Sequence, residues 1–326
     1  MQIKNVLVTG AGGFIGSYLT EKCVESGYRV KAFIRYNSKN NWGWLEDSKY
    51  KKEIEIITGD IRDFDSVYKA LHSCDTVFHL AALIGIPYSY ISPLAYIKTN
   101  IEGTYNILEA SRQKGTGNVL ITSTSEIYGT AQYVPIDEKH PMVGQSPYAA
   151  TKIAADELAL SFYRSFDLPV KVVRPFNTYG PRQSARAIIP TVIIQLLNKR
   201  KKIKVGNVLP TRDLTFVKDT VNGYMKIAES NKFTGEVTNI GMNKEIKIEE
   251  LIMLIVKLMN KKVEIDCEDT RIRPDKSEVN RLLCDNSKLI KNTGWKPAYD
   301  LSRGLKETIN WFRKHMNYYK SDIYNF

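Results

Sequence analysis

Short apolar runs and longer amphipathic segments alternate along the first half of the chain. Runs rich in β-branched residues predict strands, and apolar residues three or four positions apart predict helices. Since crossover helices join parallel strands, the order predicts an α/β fold with a doubly wound parallel sheet. The predicted elements are strand 5–8, helix 15–26, strand 29–34, strand 54–57, helix 65–71, strand 76–79, helix 100–113, strand 118–121, helix 148–166 and strand 170–173.

The pattern changes after Pro175, where helices predominate and the connecting loops are rich in Pro, Gly, Asp and Arg. The predicted helices of this half are 188–198, 217–229, 248–259 and 301–312. We therefore predict a first domain over residues 1–178 and a smaller capping domain over residues 179–326. The apolar run 237–240 predicts a strand that returns to the main sheet.

Composition limits the classes of protein to consider. With 326 residues, 43% of them hydrophobic, the chain can bury a substantial core. Lys and Arg exceed Asp and Glu by 47 − 35 = 12, which favours anionic ligands such as nucleotides. The basic residues are scattered and accompany no nucleic-acid motif, and no apolar run approaches the ~20 residues of a membrane span. We expect no nucleic-acid partner and no membrane partner.

The four cysteines lie far apart and form no CxxC pair, which argues against a zinc site or a disulfide framework and fits a reducing cytoplasm. They are Cys23, Cys74, Cys267 and Cys284. No metal site is predicted, and the expected location is the cytoplasm.

A glycine-rich turn follows the first predicted strand and opens the first predicted helix. The segment reads TGAGGFIG, with Gly10, Gly13 and Gly16 in a GxxGxxG pattern around Phe14 and Ile15. Glycines here permit a tight turn, close approach of a pyrophosphate and close packing of helix on strand, while the helix N-terminus offers free N–H groups. The turn predicts that the first domain is a Rossmann-type dinucleotide-binding domain and that the second domain binds the substrate.

The residues after the next strands complete the predicted dinucleotide site. Arg35 stands where an acid would hold the adenosine ribose of NAD; a guanidinium suits the 2′-phosphate of NADP, but it can also stack on adenine and serve NAD. We expect NAD or NADP, with a lean toward NADP. Further predicted contacts are Asp60 and Ile61 after the third strand and Leu80, Ala81 and Ala82 after the fourth. His79 is predicted to be a packed strand-end residue.

A tyrosine and a lysine four residues apart predict a redox site on the helix 148–166. The YxxxK spacing places Tyr148 and Lys152 on one helix face, where they can share a pocket and touch the cofactor. A phenol with a pKa of about 10 is a poor base at neutral pH, and a nearby ammonium lowers that pKa. Tyr148 is thus predicted to take a proton from a substrate hydroxyl.

The strand 118–121 leads into hydroxyl groups and one carboxylate at the edge of the sheet where ligands bind. Thr124 can hold a substrate hydroxyl beside Tyr148, and Ser125 and Glu126 follow it. Hydride transfer alone needs no second acid or base, whereas removing a proton next to a new ketone does. Glu126 therefore predicts an elimination chemistry.

Four segments resemble the extended short-chain dehydrogenases that act on nucleotide sugars: the glycine turn, STSEIYG (123–129), YAATK (148–152) and RPFNTYGPRQ (174–183). The glutamate in STSEIYG is similar to the hexose 4,6-dehydratases and UDP-glucuronate decarboxylases, while 4-epimerases usually lack it. The resemblance implies a nucleotide-sugar 4,6-dehydratase that keeps its cofactor bound and recycles it. Ser125 stands where many dTDP-glucose dehydratases have Asp, so either Glu126 or Ser125 protonates the departing hydroxyl.

Three further segments are similar to the 4,6-dehydratases of legionaminic acid biosynthesis: AALIGIPYSYISP (81–93), FNTYGPRQSARAIIPT (176–191) and GNVLPTRDLTFVKDT (206–220). This resemblance implies GDP- or UDP-N-acetylglucosamine as substrate, with Asn177, Arg212 and Arg273 on the diphosphate or nucleotide. It also implies a homodimer that joins helices 100–113 and 148–166 in a four-helix bundle. The alternatives are a UDP-glucuronate decarboxylase and a nucleotide-sugar 4-epimerase.

Overall fold

The computed structural model describes residues 3–320. Its strands are β1 (Asn5–Thr9), β2 (Arg29–Arg35), β3 (Ile54–Gly59), β4 (Thr76–His79), β5 (Asn118–Thr122), β6 (Val170–Pro175), β7 (Asn177–Tyr179), β8 (Lys202–Val205), β9 (Thr211–Phe216), β10 (Val237–Ile240), β11 (Glu245–Lys247) and β12 (Glu264–Cys267). Its α-helices are α1 (Phe14–Glu25), α2 (Phe64–Ala70), α3 (Ile86–Ile91), α4 (Pro93–Tyr96), α5 (Gly103–Lys114), α6 (Pro147–Phe166), α7 (Ile188–Leu197), α8 (Val217–Ala228), α9 (Ile248–Leu258), α10 (Ser287–Thr293) and α11 (Leu301–Lys314).

The main sheet confirms the predicted doubly wound α/β fold. Within the described residues it has seven strands in the order β10-β6-β5-β4-β1-β2-β3, and neighbouring strands run parallel throughout. Helices cover both faces, so strands such as β4 and β6 are buried along their whole length. The strand order reverses between β1 and β4, which opens a crevice at the carboxyl ends of the strands.

The predicted elements of the first half agree with the structure to within a few residues, except for the helix predicted over 100–113. There the chain is already helical from Pro93, through α4 and a π-helical segment Ile97–Glu102, before α5 begins at Gly103. The preceding helix α3 was not predicted either. Gly85 and Pro87 punctuate this region and obscure the helical periodicity.

The prediction of loops between the helices of the second half is wrong in several places. The structure has strands β7, β8, β9, β11 and β12 there, and also helix α10. These strands have three to six residues. Runs this short, with polar residues on one face, contain too few positions to show a period of two.

The second half of the chain also contributes to the main core. β10 pairs with β6, as predicted from the run 237–240, and α8 packs against α1, where Cys23 and Met225 meet at 3.9 Å between their sulfur atoms. One hydrophobic cluster therefore contains residues of both halves. The boundary at 178/179 stays a prediction.

An aromatic cluster near the end of the described chain packs on its own fold. The ring centroid of Trp44, a residue that precedes β3, lies 5.3 Å from those of Trp311 and Tyr318, and the Tyr319 hydroxyl donates to the Gln183 carbonyl over 2.9 Å.

The four cysteines are free thiols. None of the helices in residues 3–320 has the length and apolar character needed to cross a bilayer, and those residues form no cluster of three or more His, Cys, Asp or Glu that could hold a metal.

Candidate active site

A cavity of about 1100 Å³ lies along the carboxyl ends of the main-sheet strands. Residues at the carboxyl ends of β1, β2, β3, β4, β5 and β6 line it. The cavity therefore occupies the crevice expected from the strand order. Every site residue predicted from the sequence lines this cavity: Gly10, Gly13, Phe14, Ile15, Gly16, Arg35, Asp60, Ile61, Leu80, Ala81, Ala82, Thr124, Ser125, Glu126, Tyr148, Lys152, Asn177, Arg212 and Arg273.

The glycine turn fits a dinucleotide by its shape. Gly10 has a φ of +68°, in the left-handed region, and a Cβ there would lie 2.8 Å from the Ala81 nitrogen. A Cβ on Gly16 would overlap the Gly10 carbonyl. Helix α1 begins after Gly13, and no side chain of the described residues caps it. The first-turn N–H groups are thus left for an anionic ligand, as a bound pyrophosphate requires.

The ends of β2 and β3 form a charged corner of the cavity. Arg35 is exposed there, and Arg62 Nε donates to the two Asp60 oxygens over 3.0 and 3.1 Å. These hydrogen bonds lower the pKa of Asp60. Arg62 and Trp42, which also line the cavity, were not predicted, because neither belongs to a recognisable motif.

His79 is buried and packed, as expected, and is not among the cavity-lining residues. Its Nδ1 lies 2.8 Å from the Thr9 hydroxyl and its Nε2 lies 3.2 Å from the Thr104 hydroxyl. Burial lowers the pKa of His79 to about 3, so the imidazole is neutral.

Helix α6 carries Tyr148 and Lys152 into the cavity in its first two turns. Ser146 caps the helix by accepting a hydrogen bond from the Ala149 N–H over 3.1 Å, and Pro147 occupies the first helical position. Both functional side chains are buried, and the Lys152 ammonium donates to the Thr122 carbonyl. The helix start is thus set by local sequence and fixes which face meets the cavity.

The pKa of Tyr148 is raised overall, so the expectation of a lowered pKa for this phenol is wrong. Burial raises the pKa of the Tyr148 phenol, while a hydrogen bond with Thr124 opposes that rise and the Glu126 charge adds to it. Burial also lowers the pKa of Lys152 to about 8. Desolvation, which spacing along a helix does not reveal, outweighs the attraction between phenolate and ammonium.

Ser125 and Glu126 lie on a 3₁₀ turn, Ser125–Tyr128, which starts shortly after β5 and has Thr124 as its N-cap residue. The Thr124 hydroxyl accepts a hydrogen bond from the Glu126 N–H over 3.2 Å and so caps the turn. Glu126 is only 9% exposed and lines the cavity together with Tyr148. The Glu126 carboxylate is therefore a buried group of the cavity wall.

Two arginines and two glutamates form a chain of charges at the same end of the cavity. Arg273 Nη1 lies 3.7 Å from Glu126 Oε2 and 3.8 Å from Glu278 Oε1, and Arg212 Nη2 lies 3.4 Å from Glu278. Glu278 was not predicted, since an acid five residues after Arg273 in an irregular loop follows no recognisable spacing. Glu126, Arg212 and the loop that carries Arg273 and Glu278 are distant from one another in the chain and meet only in the folded protein.

Some buried polar atoms of the cavity wall have no hydrogen-bond partner within residues 3–320. They are Asn177 Oδ1, Gln183 Oε1 and Arg273 Nη1. A buried polar group without a hydrogen bond is costly, and the two carboxylates near Arg273 Nη1 lie beyond hydrogen-bond distance, so these two acceptors and one donor are suited to a polar ligand. Gln183 was not predicted as a site residue.

The comparisons with known proteins agree with this geometry. The family model for GDP-mannose 4,6 dehydratase matches residues 7–308. A dTDP-glucose 4,6-dehydratase of Streptomyces antibioticus is 31% identical over 95% of the chain and 92% of its own length. A UDP-N-acetyl-alpha-D-glucosaminuronate decarboxylase of Bacillus cytotoxicus is 33% identical over 96% of the chain and 99% of its own length.

A solved structure shares the whole architecture. The UDP-glucuronic acid 4-epimerase of Bacillus cereus, in complex with UDP-glucuronic acid and NAD, superposes with a TM-score of 0.86 and 28% identity over 95% of this chain and 99% of that one. Relatives with three different reactions thus share this fold, and the glycine turn fits the dinucleotide that the epimerase structure contains. The chain belongs to the GDP-mannose 4,6-dehydratase family of nucleotide-sugar dehydratases, epimerases and decarboxylases.

Proposed function

We propose that the chain is an NAD- or NADP-dependent 4,6-dehydratase that converts a nucleotide-linked hexose to its 4-keto-6-deoxy sugar. The observation that supports this most is the buried Glu126 carboxylate in the cavity that Tyr148 and Thr124 also line. A redox or epimerising enzyme needs one proton-transfer group at carbon 4. An eliminating enzyme needs a second one for the neighbouring carbon.

The proposed reaction uses these side chains in sequence. Tyr148 takes the proton of the hydroxyl on carbon 4, which Thr124 holds, and a ketone forms at carbon 4. The ketone acidifies the hydrogen on carbon 5, and Glu126 removes it. Water leaves carbon 6 with a proton from Glu126 or Ser125. When the double bond between carbons 5 and 6 is reduced, carbon 5 takes up a proton in the site, which balances the proton that Tyr148 received from the hydroxyl on carbon 4. The chemistry that a bound dinucleotide supplies is reversible storage of the hydride, taken from carbon 4 and returned to carbon 6.

The Lys152 ammonium has an electrostatic role in this scheme. Its positive charge stabilises the phenolate of Tyr148, whose pKa is raised by burial. Since the hydride is returned, the cofactor ends as it began and stays bound. We expect dinucleotide to co-purify with the protein, and no net reduced dinucleotide to accumulate during turnover. Arg35 leaves the choice between NAD and NADP open, with the same lean toward NADP.

For the substrate, we propose GDP- or UDP-N-acetylglucosamine, in a reaction that serves legionaminic acid synthesis. The support is the similarity of segments 81–93, 176–191 and 206–220 to that class of dehydratase. All three segments contribute cavity-lining residues, among them Tyr88, Asn177 and Arg212. The donors of Asn177, Arg212 and Arg273 suit the diphosphate.

The decisive experiment incubates the purified protein with GDP- and UDP-N-acetylglucosamine, dTDP-glucose, GDP-mannose and UDP-glucuronate and measures product mass. Loss of water supports the proposal. Loss of carbon dioxide identifies a decarboxylase, and an unchanged mass with altered configuration identifies a 4-epimerase. Glu126→Gln is expected to bind the same nucleotide sugar but to lose at least about a hundredfold of its water elimination. Full activity of that variant contradicts the role of Glu126.

We also propose a homodimer in which α5 and α6 form a four-helix bundle with their copies. The two helices pack side by side, and apolar side chains near them are exposed: Ile97, Tyr105 and Phe166 at 47%, 45% and 54%. Light scattering is expected to give twice the chain mass. Tyr105→Glu should give a monomer, while Tyr133→Glu, equally exposed elsewhere, should not. A wild-type monomer at micromolar concentration contradicts this.

A further inference from the structure

A buried ion pair lies behind the cavity wall. Arg174 Nε, on β6, donates to Asp156 Oδ2, on α6, over 3.0 Å, and the two side chains are 3% and 0% exposed. Both residues lie outside the set that lines the cavity. Because removing two charges from water is costly, a buried pair of this kind stabilises a fold only weakly. The hydrogen bonds of the pair indicate a role other than stabilising the fold.

The pair is hydrogen-bonded to both ends of the turn that carries Glu126. Before the turn, the Ser123 hydroxyl donates to Asp156 Oδ2 over 2.7 Å. At its end, Arg174 Nη1 donates to the Tyr128 hydroxyl over 3.0 Å. The turn therefore cannot shift along the sheet edge without breaking a buried hydrogen bond.

The far end of this network is anchored to the main sheet. The Tyr128 hydroxyl donates to Asn239 Oδ1, on β10, over 2.8 Å, and the Asn239 amide in turn donates to the Ile136 carbonyl over 3.1 Å. Each of these hydrogen bonds is buried, so losing one leaves a polar group unpaired, although Asp156 Oδ1 has no hydrogen-bond partner among residues 3–320. The turn is thus held against β6 and β10.

The same pair is also part of the helix that carries the redox residues. Tyr148, Lys152 and Asp156 are spaced by four, so they follow one face of α6. The Asp156 charge partly offsets the effect of burial on the pKa of Lys152. One carboxylate thus contacts the turn with Glu126 and lies one helical turn from Lys152.

We propose that Asp156 and Arg174 are positioning residues that hold the Glu126 carboxylate at a set distance from the Tyr148 phenol. This inference rests on the proposed function, in which the two groups act on neighbouring carbons of one sugar in one bound pose. A displacement of about 1 Å at a reacting group can cost about a hundredfold in rate. A rigid tie between the two groups therefore has a direct kinetic value.

The test loosens the tie at the turn without touching the cavity. Asp156→Ala would leave the buried Arg174 charge unpaired, so the milder Tyr128→Phe is used; Tyr128 is buried and is not a lining residue. In a single turnover with the nucleotide sugar that the wild type converts, hydride transfer should stay within about twofold and water loss should slow about tenfold. Reduced nicotinamide should therefore accumulate transiently, as followed by its absorbance.

Ser123→Ala cuts the other end of the tie and should show the same split; because Ser123 lines the cavity, this variant is read together with Tyr128→Phe, which does not. Its matched control is Ser111→Ala, which removes a buried hydroxyl that has no hydrogen-bond partner in the described part of the chain; both steps should keep the wild-type rate. Equal slowing of both steps in Tyr128→Phe and Ser123→Ala, as a general loss of stability would produce, overturns the inference. Wild-type rates in both variants overturn it as well.

A crystal structure of Tyr128→Phe gives a readout that does not depend on the reaction. The Glu126 carboxylate is expected to move by about 0.5 Å or more relative to the Tyr148 hydroxyl, the tolerance within which catalytic groups must be held. An unchanged separation overturns the positioning role. A wild-type protein that removes no water from any nucleotide sugar overturns the proposed function instead, and the crystal structure still decides the positioning role.

Discussion

The glycine-rich end of the cavity (residues 10–16 and 80–82) and its charged end (Glu126, Arg212, Arg273 and Glu278) are built from different parts of the chain. The glycine-rich end consists of backbone and small side chains, and a Cβ on Gly16 would overlap the Gly10 carbonyl. The charged end consists of long side chains 3.4 to 3.8 Å apart. The proposed function therefore assigns recognition by shape to the first end and recognition by charge to the second.

This difference predicts different responses to substitution. Atoms packed against backbone cannot yield, so an added methyl group at the glycine-rich end should remove binding altogether. Several long charged side chains contribute to ligand affinity at the charged end, so loss of one should weaken binding without abolishing it. The predictions below test this contrast and the contacts around it, from the largest expected effect to the smallest.

Gly16→Ala should abolish retention of the dinucleotide. The new methyl group pushes the Gly10 carbonyl and the helix N-terminus apart, at a cost of about 1–3 kcal/mol of folding free energy. Nucleotide extracted from the purified variant and a denaturant titration measure the two effects. Gly27→Ala is the control: it also strains the backbone, at a φ of +80°, but meets no atom within 4 Å, and it should keep its dinucleotide. Full retention in Gly16→Ala contradicts the assignment of this end.

Arg212→Ala should raise the Kd for GDP or UDP by about ten- to a hundredfold, since a charge-assisted hydrogen bond is worth about 1.5–3 kcal/mol. Titration calorimetry measures this, and the difference from wild type should shrink as salt is added. Dinucleotide retention should not change. Arg281→Ala, which removes an exposed arginine paired with Glu245 outside the cavity, should bind like the wild type. Equal affinities of Arg212→Ala and wild type would remove Arg212 from the site.

The rate of hydride transfer should fall by up to about tenfold per pH unit above pH 8. The pKa of Lys152 is lowered to about 8 by burial, so its ammonium, which stabilises the phenolate, is lost as the pH rises through that value. The unfolded chain keeps this proton up to its usual pKa near 10.5. Lys152 therefore costs stability below pH 8, and that cost disappears between pH 8 and 10.5. A rate that stays constant up to about pH 10 contradicts the role of the ammonium.

Tyr318→Phe should speed dissociation of the dinucleotide by about two- to fivefold, which corresponds to the free energy of one exposed hydrogen bond. Trp44 and Asp47 lie in one short 3₁₀ helix, Gly43–Asp47. The backbone N–H of Trp44 donates to the Gly12 carbonyl over 3.0 Å, and the Tyr318 hydroxyl donates to the Asp47 carboxylate over 2.7 Å. Loss of that bond loosens the segment beside the glycine turn. Tyr133→Phe, which breaks a 2.7 Å bond to Asp137 elsewhere, is the control. Identical dissociation rates for the two variants refute this coupling.

Much of the site could be predicted because its parts are local. The glycine turn and the YxxxK pair each lie within one turn or helix, where spacing alone sets the geometry. Glu126 comes four residues after the end of β5, so the strand end places it near the edge of the sheet. The pKa of Tyr148 could not be predicted in the same way, because burial depends on the elements that later pack around α6.

The chain's own sequence determined the order of the main-sheet strands, the glycine-rich end and the residues on one face of α6, since these depend on contacts between residues near each other in the chain. Only the tertiary structure decided which charges meet Glu126 and how deeply Tyr148 is buried. It also decided that Asp156 and Arg174 hold the turn from behind. Those contacts join segments separated by dozens of residues. Their energies arise from desolvation and packing that exist only after the sheet and its helices have assembled.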